Sequence, residues 1–587
     1  MPVGHREQRE VVGLRIAVLV KQIPALEEMF LGPDGRLVRD GIELEMSAYC
    51  RRAVSKAVEL AADLPQSTVT VFTLGPPAAE DVLREAIAWG LERRVEIAGV
   101  LVSDREFAGS DTIATAKALA AVLSKHGPFD LVLAGRNSLD ADTGQVPPQI
   151  AELLDLPFVA GVKVFAFDGH TLTLGCEHDD GWLDAEVCVP AVLTCAERLC
   201  EPAKVSREGR DAVAADLIRT VTASELGPGP WGAAASLTVV GDTEQLSVQR
   251  DRVVSPDASI EDQVAQAVEI LLDRGALSGS PTHDSPPIAT TGGSGPVVAV
   301  VAEPDRDSVT RELCGAAARL ASSLSGSTVL LAPQELSAED AGSWGADCLL
   351  RLDGVLTEED VAGAVASWAK SEKPWAIIAG STAYGREVAS RVAIAAEAGL
   401  TGDAVDLEVV DGRLVAWKPA FGGLLVAAIT ATSPIQMATV RAGVLSPPRP
   451  RAQVAETSTF EAKGRRRVAV RLRRQDDALE RLSEADAVIG VGTGVAPEHL
   501  HELSALRELL DAEIGCTRKV TDRGWMPHAC QIGITGRSIS PRLFISIGAS
   551  GKFNHMVGVR SAGTELGQEA RARIRVGHRC SDSVKER

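Results

Sequence analysis

Residues 130–161 read DLVLAGRNSLDADTGQVPPQIAELLDLPFVAG, and residues 375–403 read WAIIAGSTAYGREVASRVAIAAEAGLTGD. Each is a short apolar run, a glycine, a polar loop, a helical stretch and a second glycine, in that order. After each comes an Asp-Gly pair, Asp168-Gly169 and Asp411-Gly412, of the kind favoured in hairpin turns where φ must be positive. Chance could produce one matching turn. The whole order of elements, repeated at an offset of about 240 residues, marks two related domains in one chain.

The pattern extends outward on both sides. RIAVLV, STVTVFTLG and FDLVLAG in the first half, and VVAVVAE, STVLLAP and WAIIAG in the second, are strand candidates separated by helical segments. That alternation predicts parallel sheets covered by helices. In RRAVSKAVELAADL the residues Ala53, Val54, Ala57, Val58 and Ala61 fall on one helical stripe. Residues 273–296 are dense in Gly, Ser, Pro and Thr without apolar periodicity and read as a flexible linker. A basic stretch, KGRRRVAVRLRRQDDALERL, precedes a fresh strand, DAVIGVGTG, so a third α/β unit starts near 480. Its helix PEHLHELSALRELLDAEIG opens on Pro497 and repeats Leu500, Leu503, Leu506, Leu509 and Leu510. The expected division is 1–272, the linker 273–296, 297–455, a connecting segment 456–479, and 480–587.

Composition narrows the function. A chain of 587 residues with a net charge of −20 lacks the basic surface that nucleic acid requires. Aromatic residues at 4% leave few stacking platforms, whereas 45% apolar residues suffice for several cores. The 10 cysteines contain no C-x-x-C pair and the 10 histidines no H-E-x-x-H, which argues against structural zinc or iron–sulfur sites. Scattered thiols fit a reducing compartment, and no stretch approaches the roughly 20 apolar residues of a membrane span. The expectation is a cytoplasmic protein. One loop stands out, SIGASGKFNH at 546–555. Phe553 after Lys552 rules out a Walker A loop, Gly551 directly after Ser550 rules out a nucleophile elbow, and the G-x-G-x-x-G spacing is missing as well.

At this point the residues resemble a known family, the electron transfer flavoproteins, in a fused form with the β subunit first and the α subunit second. TAYGREVASRVAIAAEAGLTGDAVDLE and KPAFGGLLVAAIT...PIQMATVRAGV are similar to the first domain of the α subunit, and CTRKVTDRGWMPHACQIGITGR with SIGASGKFNHMVGVRSAG to its flavin domain. KQIPALEEMF, MSAYCRRAVSKAVEL, DADTGQVPPQIAELL and ERLCEP follow β-subunit order. The resemblance implies two related adenine-nucleotide-hydrolase-like parallel-sheet α/β domains and a C-terminal doubly wound FAD-binding domain. It implies an electron carrier rather than a substrate-converting enzyme, with FAD passing electrons from a dehydrogenase to a quinone oxidoreductase or another redox acceptor.

By the same resemblance the FAD residues are Thr517, Arg518, Gln531, Ile532, Gly533, Ile534, Thr535, Gly536, Ser550, Gly551, Lys552, Phe553, Asn554 and His555, with Tyr49 touching the ring from the first half. Thr535 would face N5, Arg518 would lie over the ring and His555 near O2. A flavin requires backbone amides near its pyrophosphate and positive charge where the reduced ring gains electrons, which a glycine-rich loop and a cation can supply. Taken singly, Arg518 and Thr535 are ordinary loop residues, and Lys552 reads as a solvated charge. Asp140, Asp142, Thr143, Gly144, Gln145 and Val146 resemble the family's second nucleotide site, which holds AMP in some branches and a second FAD in bifurcating ones. Both occupants stay open, as does a flavin-poor regulatory or assembly homologue.

Several positions depart from the family. Ile534-Thr535 replaces a Gln-Thr pair, Thr493 stands where an arginine is expected, and Thr517 replaces serine. Gly567 stands for a ribose-contacting asparagine, and Pro147 removes an N–H that could meet a phosphate. The partner-recognition segment becomes KVSREGRDAVAADLIRT.

Overall fold

The computed structural model describes residues 13–24, 43–138, 140–178, 181–197, 199–245, 259–277, 293–420, 425–445, 449–475, 481–482, 485–533, 536–537, 539, 541–551, 553–559, 562–569 and 573–578. The stretch 278–292 of the expected linker lies outside them.

The first sheet has ten strands. Its order is Ile218–Val221, Glu96–Val102, Thr68–Leu74, Arg15–Leu19, Leu131–Gly135, Ala191–Cys195, Phe158–Phe167, Thr171–His178, Gly181–Cys188 and Val468–Gln475. The first seven run parallel and the last three continue as an antiparallel meander. Strands buried on both faces need apolar residues at successive positions, and RIAVL and LVLAG supply them. Helices Ala48–Asp63 and Glu80–Glu92 cover one face, with Ala53, Val54, Ala57 and Val58 fully buried there. Helices Thr112–His126 and Val146–Leu153 cover the other.

The second sheet, entirely parallel, runs Gly399–Ala404, Gln436–Val440, Ala376–Gly380, Val297–Val301, Ser327–Ala332, Cys348–Asp353 and Glu456–Glu461. Taken from the strand that follows the repeated helix, this is the connectivity of the first sheet, so the repeat in sequence is a repeat in topology. The two Asp-Gly turns differ in detail. Asp411 and Gly412 have φ of +50° and +74°, the geometry of a two-residue type I′ turn. At the other turn the Asp168 carboxylate accepts N–H bonds from His170 at 3.0 Å and Thr171 at 2.8 Å and widens the loop.

The two halves exchange strands. Thr238–Gln245, from the first half, pairs antiparallel with Leu425–Ala431 and edges a four-stranded sheet completed by Arg413–Ala420 and Asp406–Val410. Val468–Gln475, from the second half, pairs antiparallel with Gly181–Cys188 in the first. Asp111 fixes the first crossing. Its Oδ1 caps helix Thr112–His126 through the Ala114 N–H at 2.9 Å, and its Oδ2 accepts from the Leu237 N–H at 2.8 Å and the Thr238 N–H at 3.1 Å.

The third unit is a five-stranded sheet in the order Glu513–Cys516, Ala487–Val491, Leu543–Ile547, Thr564–Glu569 and Arg573–His578, the last strand antiparallel. Helix Ile260–Asp273 of the first half packs on it, and Leu271 and Ala276 share a core with Ala487, Ile489, Val491, Leu543 and Ile545. Arg542 donates to the carbonyls of Gly275 and Ala276. The expected leucine helix is two pieces, a 3-10 segment Pro497–Leu503 and an α-helix Ser504–Leu510 that ends at the left-handed Asp511. Leu500, Leu503, Leu506 and Leu510 pack inward, whereas Leu509 is 81% exposed. The change of pitch between 3.0 and 3.6 residues per turn rotates it out of the stripe. Among the described residues no helix is long and apolar enough to cross a membrane.

The repeated helices Val146–Leu153 and Ala383–Ala395 pack on each other across the boundary between the halves. At their contact Arg391 is 1% exposed. Its Nη1 meets Glu152 at 2.9 Å and Glu359 at 3.6 Å, and its Nε meets Glu387 at 3.1 Å. Arg465 and Arg467 of the exit segment pair with Glu359 as well, and Arg473 pairs with Glu358 at 2.9 Å. Removing one member of such a cluster strands its partners. Arg391→Met should destabilise the chain by about 3–5 kcal/mol, seen as a lower urea midpoint for loss of contact between the halves. A midpoint equal to that of the wild type would show that the cluster does not hold them together.

Candidate functional site

Most of the expected flavin residues gather at the C-terminal ends of the central parallel strands of the third sheet, where open α/β sheets place their ligand crevices. Strand Ala487–Val491 leads into Gly492–Gly494, and strand Leu543–Ile547 leads into Gly548–Gly551. The two loops touch backbone to backbone. The Gly494 N–H donates to the Gly548 carbonyl at 2.9 Å, and a Cβ on Gly492 would lie 2.2 Å from that same oxygen. Gly551 has φ of +61° with open space around it, a conformation that favours glycine.

Beside this edge, strand Glu513–Cys516 delivers Thr517, whose N–H bonds to the Val491 carbonyl at 2.9 Å, and then the helix Arg518–Asp522. Gln531 and Ile532 run alongside, because the Ile532 N–H bonds to the Cys516 carbonyl at 2.9 Å and Gln531 accepts from the Thr521 hydroxyl at 3.0 Å. Gly533 and Gly536 close a turn through a 3.0 Å N–H bond. His555, in the short helix Phe553–Met556, reaches back to the same segment, and its Nδ1 donates to the Ile532 carbonyl at 3.1 Å. Its Nε2 is buried and, among the described residues, without a hydrogen-bond partner. Burial holds the imidazole below its ordinary pKa of 6.5. Ser550 is exposed. Ile534, Thr535 and Lys552, and the side chains of Phe553 and Asn554, lie outside the described residues. Gly567 lies inside a strand, paired with Ser546 on one side and Arg575 on the other.

The orphaned Nε2 of His555 and the glycine-lined edge fit the ring and ribityl-phosphate part of a flavin. Arg518, at the start of the helix that follows Thr517, bonds Asp522 at 3.3 Å and, across the domain boundary, Glu197 at 3.2 Å.

The second group is separate. Asp140, Asp142, Thr143, Gly144 and Gln145 form the loop between strand Leu131–Gly135 and helix Val146–Leu153, where the two halves meet. Lys21 bonds Asp140 at 2.8 Å and, against the opposing effect of burial, holds its carboxyl below the ordinary value. The Lys418 ammonium donates to the Ala141 carbonyl at 2.7 Å, and its pKa is lowered by burial. Arg386 lies 3.8 Å from Asp142 and 3.9 Å from Asp403. Gln145 accepts from the Thr112 hydroxyl at 2.7 Å, while its Nε2 is buried and, among the described residues, without a partner. Pro147 occupies the first turn of the helix, where its missing N–H leaves no broken bond.

Tyr49 lies between the two groups. It is 9% exposed, and Gly135 has no room for a Cβ because Tyr49 would be 2.7 Å away. Burial first, then Glu197 and Asp142, raise the pKa of its hydroxyl. Sequence reading missed Glu197, although it opens ERLCEP, and missed Lys21, Arg386 and Lys418. Glu197 and Lys21 lie in loops, Arg386 in a helix and Lys418 in a strand; a single charged residue carries no periodic signal in any of them, and only its pairing in the folded chain gives it a place.

The protonation of His555 gives a pH dependence. A depressed imidazole pKa contributes stability that is present above about pH 6.5 and is lost as pH falls through the folded-state value. Unfolding followed by denaturant between pH 7.5 and 5 should show the third unit weakening toward acid, and His555→Gln should flatten that slope. An unchanged slope would mean that the ring charges freely.

The family model for the electron transfer flavoprotein domain matches residues 34–226 and 291–464, and the model for the electron transfer flavoprotein FAD-binding domain matches 481–560. The Caffeyl-CoA reductase-Etf complex subunit CarD of Acetobacterium woodii is 36% identical over 197 residues, 33% of this chain and 73% of that protein. Protein FixB of Azorhizobium caulinodans is 35% identical over 273 residues, 43% of this chain and 74% of its own length. The electron transfer flavoprotein subunit alpha of Thermoanaerobacterium thermosaccharolyticum is 32% identical over 238 residues, covering 38% and 72%. Relatives named as beta subunits match the N-terminal region.

Proposed function

Because the chain belongs to the electron transfer flavoprotein family, we propose that it carries electrons on one FAD held at the C-terminal edge of the third sheet, between a dehydrogenase donor and a redox-protein or quinone-oxidoreductase acceptor. The observation that supports this reading is the buried Nε2 of His555, unpartnered among the described residues, in the same unit as the glycine-lined loops. When bound, the flavin supplies the redox chemistry, taking and releasing electrons one or two at a time.

The residues of the chain have separate tasks. Amides of the Gly548–Gly551 loop would hold the phosphates, because glycine leaves the backbone bare for close approach. Arg518 offers the positive charge that favours added electrons, a preorganised electrostatic effect. His555 is held neutral, with its Nδ1 proton on Ile532, so its Nε2 is the atom able to accept a proton when negative charge arrives beside it. The fused form keeps the two halves at high effective concentration through one covalent path.

The loop from Asp140 to Val146 would hold a second nucleotide, AMP or a second FAD. The orphaned amide of Gln145 and the cations Arg386, Lys418 and Lys21 around it support an anionic, hydrogen-bonding ligand. The divergence at Gly567 concerns the adenosine end of the first FAD, since a glycine inside a paired strand offers no side chain to a ribose.

Cofactor content separates these readings. Purified protein should be yellow with about one FAD per chain. Two per chain would place a flavin in the second loop, and a colourless protein that releases AMP on denaturation would replace the carrier with a nucleotide-binding module. In the flavin-loaded protein Arg518→Ala should lower the midpoint potential, and an unchanged potential would remove Arg518 from the ring's surroundings.

A further inference from the structure

Arg518 belongs to the third unit, but the better sheltered of its two carboxylate partners does not. Asp522, one turn away on the same short helix, has a side chain that is 48% exposed, whereas that of Glu197 is 17% exposed. Glu197 comes two residues after strand Ala191–Cys195 of the first sheet, and its carboxylate is also the charge that, after burial, does most to raise the pKa of the Tyr49 hydroxyl. One first-domain carboxylate thus faces both the tyrosine under the domain boundary and the guanidinium on the far side of it.

We propose that Glu197 is a positioning residue for Arg518, aiming its guanidinium and offsetting part of its charge while the third unit is docked on the first domain. The inference rests on the FAD reading above. A guanidinium paired with a carboxylate presents a dipole to its surroundings, and an unpaired one presents a full positive charge. The potential of a flavin beside Arg518 therefore depends on whether the pair is closed. The coupling is reciprocal: electrons arriving on the flavin compete with Glu197 for the guanidinium and favour release of the third unit. The pair is partly exposed, and ion pairs of that kind are weak enough to open and are screened by salt.

The test uses the full chain with its flavin and four variants. Glu197→Gln should raise the midpoint potential, Glu197→Asp should restore most of the wild-type value, and Arg518→Ala should lower it. The double variant Glu197→Gln with Arg518→Ala should match Arg518→Ala alone, because the effect of Glu197 passes through the guanidinium. An unchanged potential in Glu197→Gln, or an equal rise with and without Arg518, overturns the proposal. Small-angle scattering of the same proteins stripped of flavin gives an independent readout. Glu197→Gln should enlarge the radius of gyration as added salt does for the wild type, and identical profiles overturn docking through this pair. A chain that binds no flavin would sink the cofactor reading, while the scattering comparison would still decide whether Glu197 holds the third unit.

Discussion

A guanidinium with almost no access to water has to be surrounded by carboxylates, and the position of Arg391 determines where they must come from. Glu387 lies one turn back on its own helix, Glu359 on the neighbouring helix of the same domain, and Glu152 on the matching helix of the other half. A buried charge of this kind is poor evidence for extra stability, because desolvation opposes the attraction. Its effect is on specificity. A slip of one repeated helix along the other would carry Glu152 away from the guanidinium, and Arg465 and Arg467 tie the exit segment to the same carboxylates.

The candidate sites inherit this geometry. The loop that precedes helix Val146–Leu153 meets Arg386 and Lys418 because the helix pair places it opposite them. Tyr49 is pressed against Gly135 at the end of the strand that feeds the same loop, which sets it between Asp142 and Glu197. From Glu197 the path reaches Arg518 on the third unit. A series of charged and hydrogen-bonding groups thus runs from the boundary between the halves to the edge of the third sheet, with Tyr49 feeling the charges of Asp142 and Glu197 and Glu197 paired with Arg518.

Much of this architecture was legible in the sequence. The apolar runs around Leu131 and Ala376 are buried strands, the stripe of Ala53, Val54, Ala57 and Val58 is a buried helix face, and the repeat in composition is a repeat in strand order. The glycine-rich ends of the third sheet also converge as their motifs suggested. Strand exchange was not legible. Thr238–Gln245 and Val468–Gln475 each have the length and composition of an edge strand, but nothing in alternating residues says which sheet they complete. The Arg391 cluster was hidden for a related reason, since arginine and glutamate on an amphipathic helix read as solvent-facing until a second helix covers them. Leu509 failed in the opposite sense, as a regular leucine spacing broken by a change of helix type.

The reciprocal strands bear on how such a protein is made. Separated from its counterpart, either half would expose a bare sheet edge with unpaired N–H and C=O groups, the feature that invites aggregation. Translation as one polypeptide delivers the two complementary pieces in equal number and from the same ribosome, so no orphan accumulates while it waits for a mate. For a carrier assembled from two gene products, expression would have to be balanced. Here that balance is written into the reading frame.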